Sequence, residues 1–196
     1  VTKGDLERAQ MTAYDPDLKT TLKQTKNVPV LVHYKLGGHT YHKKPDAFDI
    51  ALTEKPNSLA PNHWFPINRM IDGDESRRND PLGLTHVHHF YSRRNLLTLS
   101  DFAALMGPQR KYVNLTSVAM VATKMYRFRS QGGSLGAGGG PLSGTLYVPS
   151  LCKEIPVLKM LEEHIRKTAQ VRVLLGSVRN NAVQTGSSTM LSNCPS

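Results

Sequence analysis

Val30-Leu31-Val32-His33-Tyr34-Lys35-Leu36, then Gly37-Gly38, then His39-Thr40-Tyr41-His42-Lys43, is the stretch that decides the fold class. Two runs rich in β-branched and aromatic residues flank a pair of glycines, and paired glycines supply the positive φ that a two-residue hairpin turn requires. An antiparallel β-hairpin is expected. Immediately beyond it Asp46 reads as the cap of a helix running to about Lys55, ended by Pro56. On the other side Thr2 reads as the cap of a short helix through Gln10, with Asp5 and Glu7 in its first turn, where carboxylates favour the exposed amides. A hairpin set among helices predicts an α/β or α+β fold, a small mixed sheet with four to five helices.

Further along, Pro56, Pro61, Pro66, Pro81 and the dipeptide Asp72-Gly73 predict a long loop over residues 56–83. Ser92 caps the next helix, whose apolar face is Leu96, Leu97, Leu99, Phe102, Ala103 and Met106 before Gly107-Pro108 stops it. A further helix is expected from about Tyr112 to Arg129, with Lys124 and Arg127 together on one stripe. Six glycines in residues 132–140 predict a flexible crossing. After them come a short strand, Thr145 to Val148, a helix from Ile155 to Thr168, a strand from Val171 to Leu175, and an edge strand at Val183 to Thr185. Two regions are suggested, 1–83 and 84–196, unless they close into one compact domain.

The 196 residues carry a formal net charge of +10, and the excess is uneven. Residues 1–101 hold 14 Lys/Arg against 12 Asp/Glu, a surplus of 2, whereas residues 102–196 hold 11 against 3, a surplus of 8. Between Asp101 and Glu154 there is no acid, while Lys124, Arg127 and Arg129 lie there. Such a field attracts a polyanion, so weak, salt-sensitive DNA binding through these three residues is one expectation and a merely solvated basic surface is the other. No apolar stretch approaches the ~20 residues of a membrane span. The first thirty residues have no signal-peptide core, which points to the cytoplasm, as does the presence of only two cysteines, Cys152 and Cys194. The chain begins at Val1, which suits a segment cut from something longer.

Thr85-His86-Val87-His88-His89 would put His86 and His88 on one face of a strand. No Cys, Asp or Glu lies nearby at ligand spacing, so histidines hydrogen-bonded at a strand-to-helix junction are expected, and no metal. The glycine run lacks the Gly-Lys-Ser/Thr ending of a phosphate loop. Asn79-Asp80-Pro81-Leu82 reads as a turn, and no nucleophile motif is present. Arg93 and Arg94 stand in the first turn of the helix after Ser92, where two cations are locally unfavourable. Either they fold back on Asp72, Asp74 or Glu75, or they join His88 and His89 in an anion site for a DNA phosphate or a cofactor carboxylate.

Several stretches also carry a family likeness. Lys3-Gly4-Asp5-Leu6-Glu7-Arg8-Ala9, Tyr14-Asp15-Pro16, Gln24-Thr25-Lys26-Asn27-Val28-Pro29-Val30, Tyr41-His42-Lys43-Lys44-Pro45-Asp46 and Trp64-Phe65-Pro66-Ile67-Asn68-Arg69-Met70 are similar to successive parts of large bacterial site-specific DNA methyltransferases that modify exocyclic amines of adenine or cytosine. So are Gly83-Leu84-Thr85-His86-Val87-His88-His89-Phe90-Tyr91-Ser92-Arg93-Arg94-Asn95-Leu96 and Gly144-Thr145-Leu146-Tyr147-Val148-Pro149-Ser150-Leu151.

The resemblance implies an internal part of such an enzyme, an incomplete piece of a methyltransferase core with an insertion, in a restriction-modification setting. In that family the Phe-x-Gly-x-Gly loop that binds S-adenosylmethionine precedes the region matched here, and the catalytic Asp-Pro-Pro-Phe loop follows it. Neither motif occurs in this chain. The resemblance therefore implies S-adenosylmethionine for the whole enzyme, no cofactor bound by this chain alone, no catalytic residue in it, and DNA together with the rest of the methyltransferase polypeptide as partners. His89 to Leu97 resembles the motif that packs near the cofactor's methionine end. The alternative is a free-standing, non-catalytic binding module, for example one borne by a mobile element.

Overall fold

The computed structural model describes residues 8–106, 115, 118–131, 134–135 and 139–184. Helices and strands are mixed, and the strands form three separate two-stranded antiparallel sheets. β1 (Gln10–Asp15) pairs with β2 (Thr20–Thr25), with Asp15 opposite Thr20. β3 (Val32–Leu36) and β4 (His39–Lys43) are the hairpin read in the sequence, with Tyr34 opposite Tyr41. Its turn glycines have φ of +58° and +85°, the left-handed region that a Cβ disfavours. β5 (Ser130–Gln131) and β6 (Ser134–Leu135) are a minimal pair.

α1 (Ala47–Glu54) starts where the sequence places it. Asp46 accepts the Asp49 amide at 3.0 Å and Asp49 accepts the Asp46 amide at 3.0 Å, a reciprocal cap, and Lys43 bridges both carboxylates at 2.9 and 2.7 Å. Residues 56–83 are less of a loop than predicted, because α2 (Asp74–Asn79) lies within them, with Asp74 and Glu75 at its positive end and Arg77 and Arg78 at its negative end. The chain then passes through Gly83 at φ +75°, where a Cβ would sit 2.2 Å from the Lys23 carbonyl oxygen. Glycine is needed there because β2 crosses so close. Gln10 Nε2 donates to the Pro81 carbonyl at 2.7 Å and the Thr25 hydroxyl to the Leu82 carbonyl at 2.9 Å, which fastens the first hairpin to this turn.

A 3-10 turn, Val87–Phe90, leads to Ser92 and α3 (Arg93–Leu105), whose Asn95 amide donates to the Ser92 hydroxyl at 3.3 Å. Leu84, Phe90 and Val148 form a buried cluster, with Met70, Leu82, Tyr91, Met125 and Leu146 packed against it. Each such side chain taken out of water contributes roughly 1.5–3 kcal/mol.

Five further sequence expectations fail. The helix expected to reach Arg129 stops at 121, because the chain turns to bridge Thr123 to Tyr91 and Arg127 to Cys152, and the Lys124 amide donates to the Phe90 carbonyl at 2.7 Å. Thr145 to Val148 is not a strand. Its polar backbone is satisfied by α2 side chains: the Leu146 amide donates to Glu75 and Asn79 Nδ2 donates to the Leu146 carbonyl at 3.0 Å. The strand expected at Val171 to Leu175 lies inside one continuous helix, α4 (Val157–Gln184), since no glycine or proline separates Thr168 from Val171 and β-branching alone is a weak breaker. That helix also takes in Val183 and Gln184. Gln10, expected to end a helix, instead opens β1.

Val1 to Glu7, Gly107 to Asn114, Thr116, Ser117, Gly132, Gly133, Gly136 to Gly138 and Thr185 to Ser196, Cys194 included, lie outside the described residues. The chain divides into two compact units, Val1–Val157 and Leu158–Ser196. Hydrogen bonds from Gln10 and Thr25 to the carbonyls of residues 81 and 82, and from His88 to the Asp15 carboxylate, tie together what lies on either side of residue 83. No helix among the described residues is long and apolar enough to cross a membrane.

Candidate functional site: an aspartate held by two histidines

Asp15 closes β1 and begins the Asp15-Pro16-Asp17-Leu18-Lys19 turn into β2. Its Oδ1 accepts the Asp17 and Leu18 amides at 2.9 and 3.1 Å, the side-chain-to-backbone pattern for which aspartate is chosen in turns. Its Oδ2 accepts His88 Nε2 at 3.0 Å and His89 Nε2 at 2.9 Å. All three residues are buried, at 6%, 6% and 5% exposure for Asp15, His88 and His89. A strand at 85–89 would have aimed His86 and His88 the same way. The 3-10 turn instead turns His88 and His89 onto one carboxylate, their rings edge to face at 4.3 Å between centroids.

Burial by itself pushes the Asp15 carboxyl up. The His88 and His89 hydrogen bonds and the Leu18 amide outweigh it and hold the group far below the usual carboxylate range. Burial pulls His89 down, partly offset by its bond to Asp15. His86, beside them, is lowered by burial first and then by the neighbouring His88 and Arg69.

Asp15, His88 and His89 place three ligand-type atoms within 4.8 Å of one another, which is the spacing of a metal site. The outer shell argues for protons instead. A metal-bound histidine donates its second ring N–H outward, whereas His89 Nδ1 receives the backbone amides of Thr85 at 3.2 Å and His86 at 3.3 Å. Its ring proton therefore sits on Nε2, facing Asp15. His88 Nδ1 is buried without a hydrogen-bond partner. As built, the cluster is a carboxylate clamped by two N–H donors.

The residues singled out for DNA or anion contact divide sharply. Arg93 donates through Nη1 to Asp17 and through Nη2 to the Leu59 carbonyl at 3.1 Å, and its guanidinium stands over Phe65 at 5.6 Å. Arg94 grips Glu154 with Nε at 3.2 Å and Nη2 at 2.7 Å. The pair does fold back on carboxylates, but on Asp17 and Glu154, not on Asp72, Asp74 or Glu75. Lys124 points inward, its ammonium donating to the His89 carbonyl at 2.9 Å, and burial lowers its pKa. Arg127 Nε donates to the Gly140 carbonyl at 2.9 Å, so it and Lys124 do not share a helical stripe. Among the described residues, Arg129 alone of the five is exposed with neither a hydrogen-bond nor an ion-pair partner. The anion beside His88 and His89 is the chain's own Asp15.

Comparison of the chain with protein-family models, curated proteins and solved structures gives no match. What the chain does must therefore be argued from its own residues.

The depressed histidines give a pH dependence with a defined sign. A group whose folded pKa lies below its unfolded value near 6.5 binds protons more readily when unfolded, so its contribution is full above that pH and is lost as pH falls through the window beneath it. Asp15 adds stability that is present above the ordinary carboxyl value of 3.8 and disappears only in stronger acid. Melting temperatures are expected to fall steadily from pH 7.5 to 5.0 and to drop again below pH 4. A flat profile down to pH 5.0 would contradict the buried-histidine account.

Proposed function

We propose that the chain is a non-catalytic internal segment of a DNA amino-methyltransferase, whose part is to build and brace the core while its basic surface meets DNA. The observation that carries this reading is where the residues of the resemblance lie. In His88-His89-Phe90-Tyr91-Ser92-Arg93-Arg94-Asn95-Leu96, nearly every side chain is spent on another part of the chain. His88 and His89 hold Asp15, Phe90 fills the core, Ser92 and Arg94 hold Glu154, Arg93 holds Asp17, and Asn95 donates to the Ala122 carbonyl at 3.1 Å. A string that braces Asp15, Asp17, Ala122 and Glu154 at once is a scaffold, and this supports a structural over a chemical role.

In this reading S-adenosylmethionine belongs to the whole enzyme and DNA to its substrate. Sequencing the gene on both sides tests it. A frame continuing upstream into Phe-x-Gly-x-Gly and downstream into Asp-Pro-Pro-Phe is the expected result. Stop codons bounding the segment would overturn it in favour of a free-standing binding module.

A further inference from the structure

The first hairpin is fastened to the rest of the chain by polar contacts. Arg8 Nη2 donates to the Val148 carbonyl at 2.7 Å, Gln10 Nε2 to the Pro81 carbonyl at 2.7 Å and the Thr25 hydroxyl to the Leu82 carbonyl at 2.9 Å. At its turn, Asp17 accepts Arg93 Nη1 and Asp15 accepts both His88 and His89. From Gln10 to Thr25 the one buried residue is Asp15, while Met11 and Tyr14 are exposed and Ala13, Leu18 and Leu22 half-buried. The cluster of Leu84, Phe90 and Val148, with the side chains packed against it, takes no residue from this hairpin. Beyond Thr25 the chain runs exposed and without regular structure from Lys26 to Val30, before β3 begins at Val32. An element that buries a charge and no apolar side chain, on an exposed tether, belongs to the part of a fold that opens first.

From this arrangement we propose that the β1–β2 hairpin is a strap that opens as a unit about residues 26–30 while the core stays folded, with the Asp15–His88–His89 clasp as its acid-released latch. The latch responds to protons because of how His89 is held. Its Nε2–H faces Asp15 and its Nδ1 accepts the Thr85 and His86 amides, so a second ring proton has no place while the clasp is closed. Burial lowers the proton affinity of that ring, and opening to water restores it, so acid favours the open form. The surrounding groups are set the same way. His86 and His88 share the 3-10 turn, Arg93 reaches in from α3 onto Asp17, and the Lys124 ammonium sits on the His89 carbonyl. Arg69, held by Asp80 at 3.1 Å, lowers His86. A further positive charge at His89 would thus meet Arg93 and Lys124, already cationic. Asp15 stays ionised across the range in which histidines titrate, since its carboxyl lies far below it. The strap does not rest on the methyltransferase reading, because it concerns only how this chain holds its own first hairpin.

Hydrogen exchange of the full chain, read by mass spectrometry of peptic fragments at pH 7.5, 6.5 and 5.5 and corrected for the intrinsic exchange rate at each pH, tests it. Fragments covering β1 and β2 are expected to open together, with an opening constant about tenfold or more above that of fragments holding the Leu96 and Ala122 amides, which donate to the Ser92 and Val118 carbonyls at 3.0 Å each. Below pH 6.5 the hairpin constant should rise further, by up to about tenfold per pH unit for one proton taken up on opening, while the Leu96 and Ala122 fragments change less. His89→Gln keeps an N–H donor towards Asp15 but has no proton to gain. In that variant the hairpin should still open as a unit, and the acid dependence should shrink. Hairpin and core fragments opening with one common constant would overturn the strap. A hairpin constant that is flat from pH 7.5 to 5.5, or an acid dependence unchanged in His89→Gln, would overturn the latch. The parent profile decides the matter by itself if His89→Gln does not fold.

Discussion

Asp15→Ala is expected to destabilise the protein by about 3–5 kcal/mol, because four donors lose their acceptor at once in a buried place. At roughly 2–4 °C per kcal/mol for a chain of this size, the melting temperature should fall by about 10 °C. Asp15→Asn is the sharper variant. The new amide oxygen can still serve the Asp17 and Leu18 amides, but the NH2 group then faces two ring N–H donors. His89 has no remedy, because its Nδ1 already accepts the Thr85 and His86 amides and its proton cannot move there. The asparagine variant should therefore lose nearly as much as alanine. Thermal unfolding at pH 7.5 measures both; an asparagine variant melting within 2 °C of the parent would mean that the two histidines are not donors to this carboxylate.

The neighbouring arginines should part company on substitution. Arg93→Ala strands Asp17, whose side chain is only 10% exposed, and removes the contacts to the Leu59 carbonyl and Phe65, a loss of about 3 kcal/mol. Arg93→Lys should rescue little, since one ammonium cannot span the two acceptors that the guanidinium fork reaches. Arg94→Ala breaks an ion pair whose side chains are 48% and 34% exposed, where water already screens the charges, and should cost under about 1 kcal/mol. Melting curves for the three variants decide it. If Arg93→Ala kept its melting temperature and lost DNA affinity, Arg93 would be a phosphate contact and not a brace.

The features that the sequence announces are those whose cause is local. The Gly37-Gly38 turn, the Asp46 cap and the Ser92 cap each depend on residues within four positions, and all three elements appear where expected. β1 and β2 were not legible, because Thr20-Thr21-Leu22-Lys23-Gln24-Thr25 lacks a clean apolar alternation and its turn is not a glycine pair. What makes those strands is the docking of their end onto His88 and His89, 73 and 74 positions away. The site was half visible for the same reason. The histidines and arginines drew attention as a cluster of like charge, but their partners Asp15, Asp17 and Glu154 lie far off along the chain and nothing in spacing links them. The one available signal was Asp15-Pro16-Asp17, two carboxylates about a proline turn in an otherwise basic stretch.

The first hairpin is made early and finished late. Arg8 donates to the Val148 carbonyl at 2.7 Å, across 140 positions, and Gln10, Thr25 and Asp15 all find their partners at residues 81–89. At a synthesis rate of about 5–20 residues per second, β1 and β2 wait some 4–15 s on the ribosome before the turn that holds them emerges. During that time Asp15 is an ordinary hydrated carboxylate and the hairpin a marginal one. Closure over such separations makes this a slow-folding topology, in which docking of the nascent N-terminal ribbon is the late step.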